Sequence, residues 1–174
     1  MSTLPETLVT TYLEMTSPDT FQPGFTTAED VLLLPMQQVD VTFYLFLYQT
    51  VGEAWKWRDR LLMPREELTH ILASPQTRVY VLYAGGVPAG YFELFQEETH
   101  VEIAYFGLRP EFIGRGLGKH LLSAAIQQAW QLENAQRIWL HTCNLDGPHA
   151  LQNYIARGFT IYDVQEEPMP ERYA

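Results

Sequence analysis

Residues 108–122 read LRPEFIGRGLGKHLL, and this run constrains the chain more than any other. An alternating stretch, Val101 to Leu108, precedes it and has the period of a strand. An amphipathic stretch, Leu117 to Leu132, follows and has the period of a helix. Between them Gly114, Gly116 and Gly118 stand at every second position, beside Arg115 and Lys119. Glycine removes the Cβ where backbone must turn sharply or approach a ligand closely. A helix start offers unpaired N–H groups and the positive end of the helix dipole. Strand, glycine loop and helix start together make an anion site, typically for phosphate.

Two nucleotide motifs fail here. The P-loop needs Gly, four residues, then Gly-Lys-Ser/Thr. Gly118-Lys119 is present, but Ile113 stands at the first glycine and His120 at the Ser/Thr. The dinucleotide pattern G-x-G-x-x-G fits Gly114 and Gly116 and then meets Lys119. No clear acidic partner follows it.

A third pattern fits better. Ile113-Gly114-Arg115-Gly116-Leu117-Gly118 resembles the Gln/Arg-x-x-Gly-x-Gly/Ala motif of the GNAT acetyltransferase superfamily. Gly116 and Gly118 match its glycines, and Ile113 replaces its first Gln or Arg. Downstream, RIWLHTCNLDGPHALQNYIARGF (Arg137 to Phe159) resembles the second motif of that family. There an Asn after a strand, here Asn144, is followed by a helix ending Tyr-x-x-x-Gly-Phe, here Tyr154 and Gly158-Phe159. The loop Leu145 to His149 is longer than in many members. The resemblance covers about residues 77–165 well and the N-terminal part loosely.

The resemblance implies a fold, a co-substrate and a set of residues. Acetyl-CoA is expected against Ile113, Gly114, Arg115, Gly116, Leu117, Gly118 and Lys119, with no metal and no covalent intermediate. The cradle is mostly backbone N–H, so binding is expected to survive Ile113. The pantetheine arm is expected to pair like an added strand with backbone near Phe106, Gly107 and Leu108. A bulge at Phe106-Gly107 would free those groups. Asn144 either bonds the arm or serves a turn. Tyr154 is the expected general acid, against a packed aromatic with a satisfied hydroxyl. The acceptor site is expected beside the first helix, where Tyr48, Trp55 and Trp57 either line it or pack as core and lip.

The remaining pattern predicts an α+β domain with three layers. Thr7 to Met15 reads as a first strand, and Gln22-Pro23-Gly24 as a turn. Asp40 to Gly52 carries Phe43, Phe46 and Leu47 at helical spacing, with Asp40 or Thr42 to cap it. A second helix is expected from about Pro64 to Leu72. Thr77 to Ala84, Val87 to Gln96 and Thr99 to Leu108 read as an antiparallel meander, its first turn at Gly85-Gly86. The helix after Gly116 then crosses to the strand Arg137 to Cys143, which implies parallel pairing. The sheet is therefore mixed and mostly antiparallel, with helices on both faces. A final strand starts at Thr160, and Glu166 onward reads as an exposed tail. No repeat or linker appears, so residues 1–174 read as a single domain.

Composition narrows the partners. The net charge of −10 argues against nucleic acid and suits a cationic amine, small or peptidic, although solubility alone would explain it. No apolar run is long enough to span a membrane, and the start MSTLPETLVTT lacks a signal core. The single Cys143 excludes an intrachain disulfide and a thiolate metal cluster. A cytoplasmic monomer or homodimer is the expectation. Direct acyl transfer to an amine needs a base, and Glu102 lies on the strand before the glycine loop. It reads equally as that base or as an exposed strand carboxylate. Alternation puts Glu102, Ala104 and Phe106 on one face. His100, His141 and His149 read as structural before proton relays, and Cys143 as a nucleophile would need a paired base. The sequence reads as an N-acetyltransferase, with a non-catalytic acyl-CoA sensor as the alternative.

Overall fold

The computed structural model describes residues 4–174. Its strands are β1 (Thr7–Met15), β2 (Val31–Pro35), β3 (Thr77–Ala84), β4 (Val87–Glu97), β5 (His100–Leu108), β6 (Arg137–Cys143) and β7 (Thr160–Pro168). They form one sheet in the order β2-β3-β4-β5-β6-β1-β7. The helices are α1 (Val41–Gly52), α2 (Asp59–Leu62), α3 (Arg65–Ala73), α4 (Leu117–Trp130) and α5 (Ala150–Ala156). Only β5 and β6 pair in parallel. This is the α+β architecture that the pattern predicts.

Local chemistry explains the elements. Gly85 and Gly86 take φ of 59° and 78°, the left-handed pair that a two-residue hairpin demands. Asp40 caps α1 by accepting a hydrogen bond from the Phe43 amide at 2.9 Å. Helices α4 and α5 cover one face of the sheet. There Leu117, Leu121 and Ile126 pack among Leu13, Val101, Ile103, Ile138 and Leu140. Helices α1 and α3 cover the other face over β3 to β5, where Tyr44, Leu47, Val51 and Leu68 meet Val79, Val81 and Tyr91. Each fully buried large apolar side chain contributes roughly 1.5–3 kcal/mol.

The structure departs from the sequence reading at four places. Val31–Pro35 forms an edge strand on β3 that the sequence did not announce. Its apolar residues run without alternation, so no period marks it. Residues 166–168 are no tail, because β7 stays paired to β1 as far as Thr7↔Pro168. Charges such as Glu166 and Glu167 suit the open edge of a sheet. The bulge lies at Ala104, not at Phe106-Gly107. The register passes from Glu93↔Tyr105 to Leu94↔Ile103 and leaves Ala104 without an opposite residue. One extra residue reverses the alternation. Glu102 and Tyr105 therefore share the α1 face, while Ile103 and Phe106 pack toward α4. The expected grouping of Glu102 with Phe106 is thereby corrected.

β5 and β6 pair only at His100↔Arg137, Val101↔Ile138 and Glu102↔Trp139. Beyond Glu102 they part, and β5 remains bonded to β4 alone. Its second backbone edge is left without a strand partner, at the carboxyl ends of the parallel pair. Open α/β sheets bind their ligands at such places.

Residue 158 tests how the second motif is built. Gly158 ends α5 with φ of 110°, and the Thr20 carbonyl occupies the space a Cβ would need. The neighbouring segment is tied there by Gln22 N–H donating to the Arg157 carbonyl at 2.9 Å. Gly158→Ala is expected to lose about 1–3 kcal/mol. For a chain of this size each kcal/mol lowers Tm by roughly 2–4 °C. Thermal melting checks it, and an unchanged Tm would refute the close approach.

Candidate active site

A cavity of about 530 Å³ opens where β5 and β6 part. β5 supplies Glu102, Phe106 and Gly107, while α5 supplies Tyr154. Tyr48, Trp55 and Trp57 close it from the α1 side. The fold thus brings together both expected catalytic residues and all three expected acceptor-side aromatics. Gly107 has a packing role besides any ligand, because a Cβ there would strike Val51 and come up against Trp57.

The glycine loop lies beyond β5. Asn153 of α5 donates to the Gly118 carbonyl at 3.3 Å and ties the loop to the helix carrying Tyr154. Gly114 and Gly116 take φ of 85° and 76°, and Gly116 is the N-cap of α4 without a side-chain cap. Its first-turn N–H groups are therefore unspent on capping. Arg115 and Lys119 are exposed, and neither has an ion-pair partner among the described residues. This donor set fits a polyanionic phosphate. Leu117 is a core side chain, 4% exposed, so only its backbone faces the loop. Ile113 is 52% exposed and Phe112 is buried, so Phe112 anchors the loop instead. Leu108 lies beside Gly118 at the end of β5.

Tyr154 is 8% exposed and stands edge-on between Phe106 and Phe159, at 6.2 and 6.3 Å. Burial first, and the Asp146 carboxylate second, push its hydroxyl above the usual phenol range. It is a neutral O–H donor at neutral pH. Burial likewise raises the Cys143 thiol, so that residue is not an activated nucleophile.

Asp59, Glu93, Glu102 and Asp146 are the carboxylates lining the cavity. Asp59 pairs with Arg172 at 3.3 Å, which holds the C-terminal turn carrying Tyr173 against the rim. Asp146 accepts from the Thr142 hydroxyl at 2.5 Å and the Cys143 amide at 3.0 Å. Glu93 is 1% exposed and accepts from Tyr44 at 2.5 Å and Arg60 at 2.7 Å. Glu102 accepts no hydrogen bond among the described residues. Burial and then Glu93 raise its carboxyl above the ordinary glutamate range, while Arg60 partly offsets this. The sequence left Glu102 open between a base and an exposed strand carboxylate. The structure makes it a half-buried one inside the cavity.

Asn144 turns away from the cavity. Its side chain accepts from Val9 N–H at 3.0 Å and donates to the Thr7 carbonyl at 2.9 Å. Both ends of the amide serve the β6–β1 ladder, the turn role of the two readings that the sequence left open, and not a bond toward the cavity. Sequence reasoning missed Arg60, Asp146, Asn153 and Tyr173. Only Glu93 left a signal, as a charge between Tyr91 and Phe95 on one face of an apolar strand.

Residues 44–159 match the model of the acetyltransferase (GNAT) family. The chain belongs to that family. Its fold is similar to a GCN5-related N-acetyltransferase of Sphaerobacter thermophilus, with 16% identity and a TM-score of 0.67. That match covers 94% of this chain and 52% of the other. A Bacillus subtilis acetyltransferase in complex with CoA gives 22% identity and a TM-score of 0.58, over 76% of this chain and 78% of that one. An aminoglycoside acetyltransferase from an uncultured soil metagenomic sample gives 15% and 0.61, over 74% and 87%. At these identities the likeness is one of fold. Against two others, a Staphylococcus epidermidis protein and a Kribbella flavida N-acetyltransferase, the chain spans 60% and 54% of their length. No curated protein matches the chain. Among the described residues no helix is long and apolar enough to cross a membrane.

The state of Glu102 has a consequence for stability. Its folded carboxyl holds a proton to higher pH than the unfolded one, chiefly because of burial. Between those two pKa values the folded state binds more protons, so stability falls as pH rises through that window. Glu102→Gln stays neutral and escapes the fall. It is expected to melt higher than the parent at neutral pH, with the gap closing in acid. Tm measured against pH checks the sign.

Proposed function

We propose that the protein transfers the acetyl group of acetyl-CoA to a primary amine by direct attack. The observation that carries this reading is one cavity with an unpartnered, half-buried carboxylate, Glu102, and a protonated phenol, Tyr154. The glycine loop and α4 start lie next to it, with donors suited to the pyrophosphate. The bare edge of β5 suits an extended amide-bearing arm. Acetyl-CoA supplies the acyl group and the leaving sulfur.

Each residue then has a task. Glu102 takes a proton from the ammonium of the acceptor, directly or through one water, and makes the nitrogen nucleophilic. The N–C bond forms as the C–S bond breaks. Tyr154 gives its proton to the departing sulfur, and the second proton shed by the nitrogen as it becomes an amide restores the phenol by way of solvent. Tyr48, Trp55, Trp57 and Tyr105 surround the acceptor end with rings, whose faces attract an ammonium.

Calorimetry with acetyl-CoA and a thiol-release screen over primary amines test the reading. Binding without release from any amine would favour an acyl-CoA sensor. Two variants sharpen the test. Gly116→Val puts a branched side chain at φ 76° at the head of α4. It is expected to weaken acetyl-CoA binding at least about tenfold, or 1.4 kcal/mol, with the helical circular dichroism retained. Unchanged affinity would remove the loop from the site.

Tyr154→Phe keeps the ring between Phe106 and Phe159 and removes only the oxygen. The expected loss in kcat is about 10²–10⁴-fold, with near-normal acetyl-CoA affinity. The loss is expected to shrink with an acyl donor whose leaving thiol is more acidic. Full turnover in Tyr154→Phe would leave the sulfur to depart as a bare thiolate.

A further inference from the structure

Glu93 and Glu102 share one face of the sheet. Glu102 stands opposite Phe95 across the β4–β5 ladder, and Glu93 is two residues from Phe95 on the same strand. Both line the cavity, so a negative charge on Glu93 opposes a second one on Glu102. An uncompensated carboxylate beside a base delays its ionisation to higher pH.

One cation resolves the competition. Arg60, on α2, reaches the sheet and donates to Glu93 at 2.7 Å, with 11% of its side chain exposed. Tyr44 of α1 donates to the other Glu93 oxygen. The guanidinium lies 5.2 Å over the Tyr105 ring. The Arg60 amide donates to the Tyr48 hydroxyl at 3.3 Å, which holds the same helix on α1.

The other charged and titratable groups facing this floor do not substitute for Arg60. Tyr44 and Tyr91 are buried and Tyr105 is half-buried, and desolvation holds all three as neutral phenols. Asp59 is paired outward with Arg172 at the rim, and Arg58 turns to the Trp57 carbonyl at 3.3 Å. On the β6 side, Cys143 is kept protonated, Asp146 is bonded to Thr142, and the His141 ring lies 5.7 Å from Tyr12. Arg60 is the cation that ion-pairs with a carboxylate of the floor.

We propose that Arg60 is a positioning residue for the reaction: by committing Glu93 to an ion pair it leaves Glu102 as the carboxylate of the cavity able to take the proton of the acceptor. The inference rests on the reading of Glu102 as the base. It adds that the Glu93–Arg60 pair, which touches no reacting atom, adjusts where that base ionises.

The two halves of the pair act on Glu102 with opposite sign, and this makes a test. The measurement is a carboxyl ¹³C NMR titration of glutamate-labelled protein without substrate, with Glu102 assigned from Glu102→Gln. In Glu93→Gln the neighbouring anion is gone and Arg60 remains, so the Glu102 midpoint moves to lower pH. In Arg60→Met the two carboxylates titrate as a pair, and the later of their two steps moves to higher pH than the parent Glu102 midpoint. In the double variant both influences vanish, and the midpoint falls between those of the single variants. A purely structural pair would leave the midpoint of every folded variant in place. An unmoved midpoint, or movement in one direction for both single variants, overturns the proposal. Should Arg60→Met fail to fold, Glu93→Gln alone decides: a midpoint that stays or rises overturns it. The base assignment is tested apart, by the acidic limb of the pH–rate profile in Glu102→Gln. A limb that persists there refutes the base, whatever the titration shows.

Discussion

The site depends on the parting of β5 from β6. The two strands hold each other over three residue pairs and then separate. The bulge at Ala104 lies two residues past the last of those pairs, at Glu102, and bulges bend a strand and strengthen its twist. An unpaired strand edge inside a sheet is ordinarily a liability, because its N–H and C=O groups seek a partner. Here it faces a cavity instead of another strand. The same extra residue turns Tyr105 to the side of Glu102 and sends Phe106 to the side of Tyr154. One backbone irregularity thus distributes the aromatic and acidic groups between the two walls.

Charge is separated along the cavity in the same way. A chain with a net charge of −10 repels a polyanion at long range. The glycine loop answers locally, with the open first turn of α4 and two exposed cations, Arg115 and Lys119. Asp59, Glu93 and Glu102 line the cavity on the side of α1 and α2. An anion is favoured at the loop and a cation at the aromatic wall. Between them stands Tyr154, whose hydroxyl stays protonated because it is buried.

The sequence carried the fold where a period or a motif was written into short stretches. The meander, the crossover to β6 and the capped α1 are legible because alternation, a Gly-Gly turn and an N-cap Asp each act over a few residues. The bulge is not legible, because Ala104 differs from its neighbours in nothing but pairing. The place of β1 between β6 and β7 is likewise a matter of long-range pairing. Of the residues lining the cavity, Glu102 and Tyr154 were legible through motif spacing, and Tyr48, Trp55 and Trp57 through nearness to the first helix. Asn144 stayed open, since a turn Asn can bond a ligand or a neighbouring strand, and only the position of β1 decides. Arg60 left no trace, because its partner lies 33 residues away on β4.

The buried pair also explains how so short a helix can form part of a wall. α2 spans four residues and has no side-chain cap, so it has little stability of its own. Its place is fixed by Arg60 on Glu93 and by the Arg60 amide on Tyr48. Burying such a pair gains little for stability by itself, because desolvation offsets much of the attraction. Well-packed apolar residues would hold α2 about as firmly. They would leave the floor of the cavity without a counter-charge and Asp59 on a less determined segment. A charged anchor gives both position and potential at the place where, in the proposed reaction, an ammonium approaches and loses its proton. The polar contact between α2 and β4 is therefore better explained by the chemistry of the cavity than by the needs of the fold.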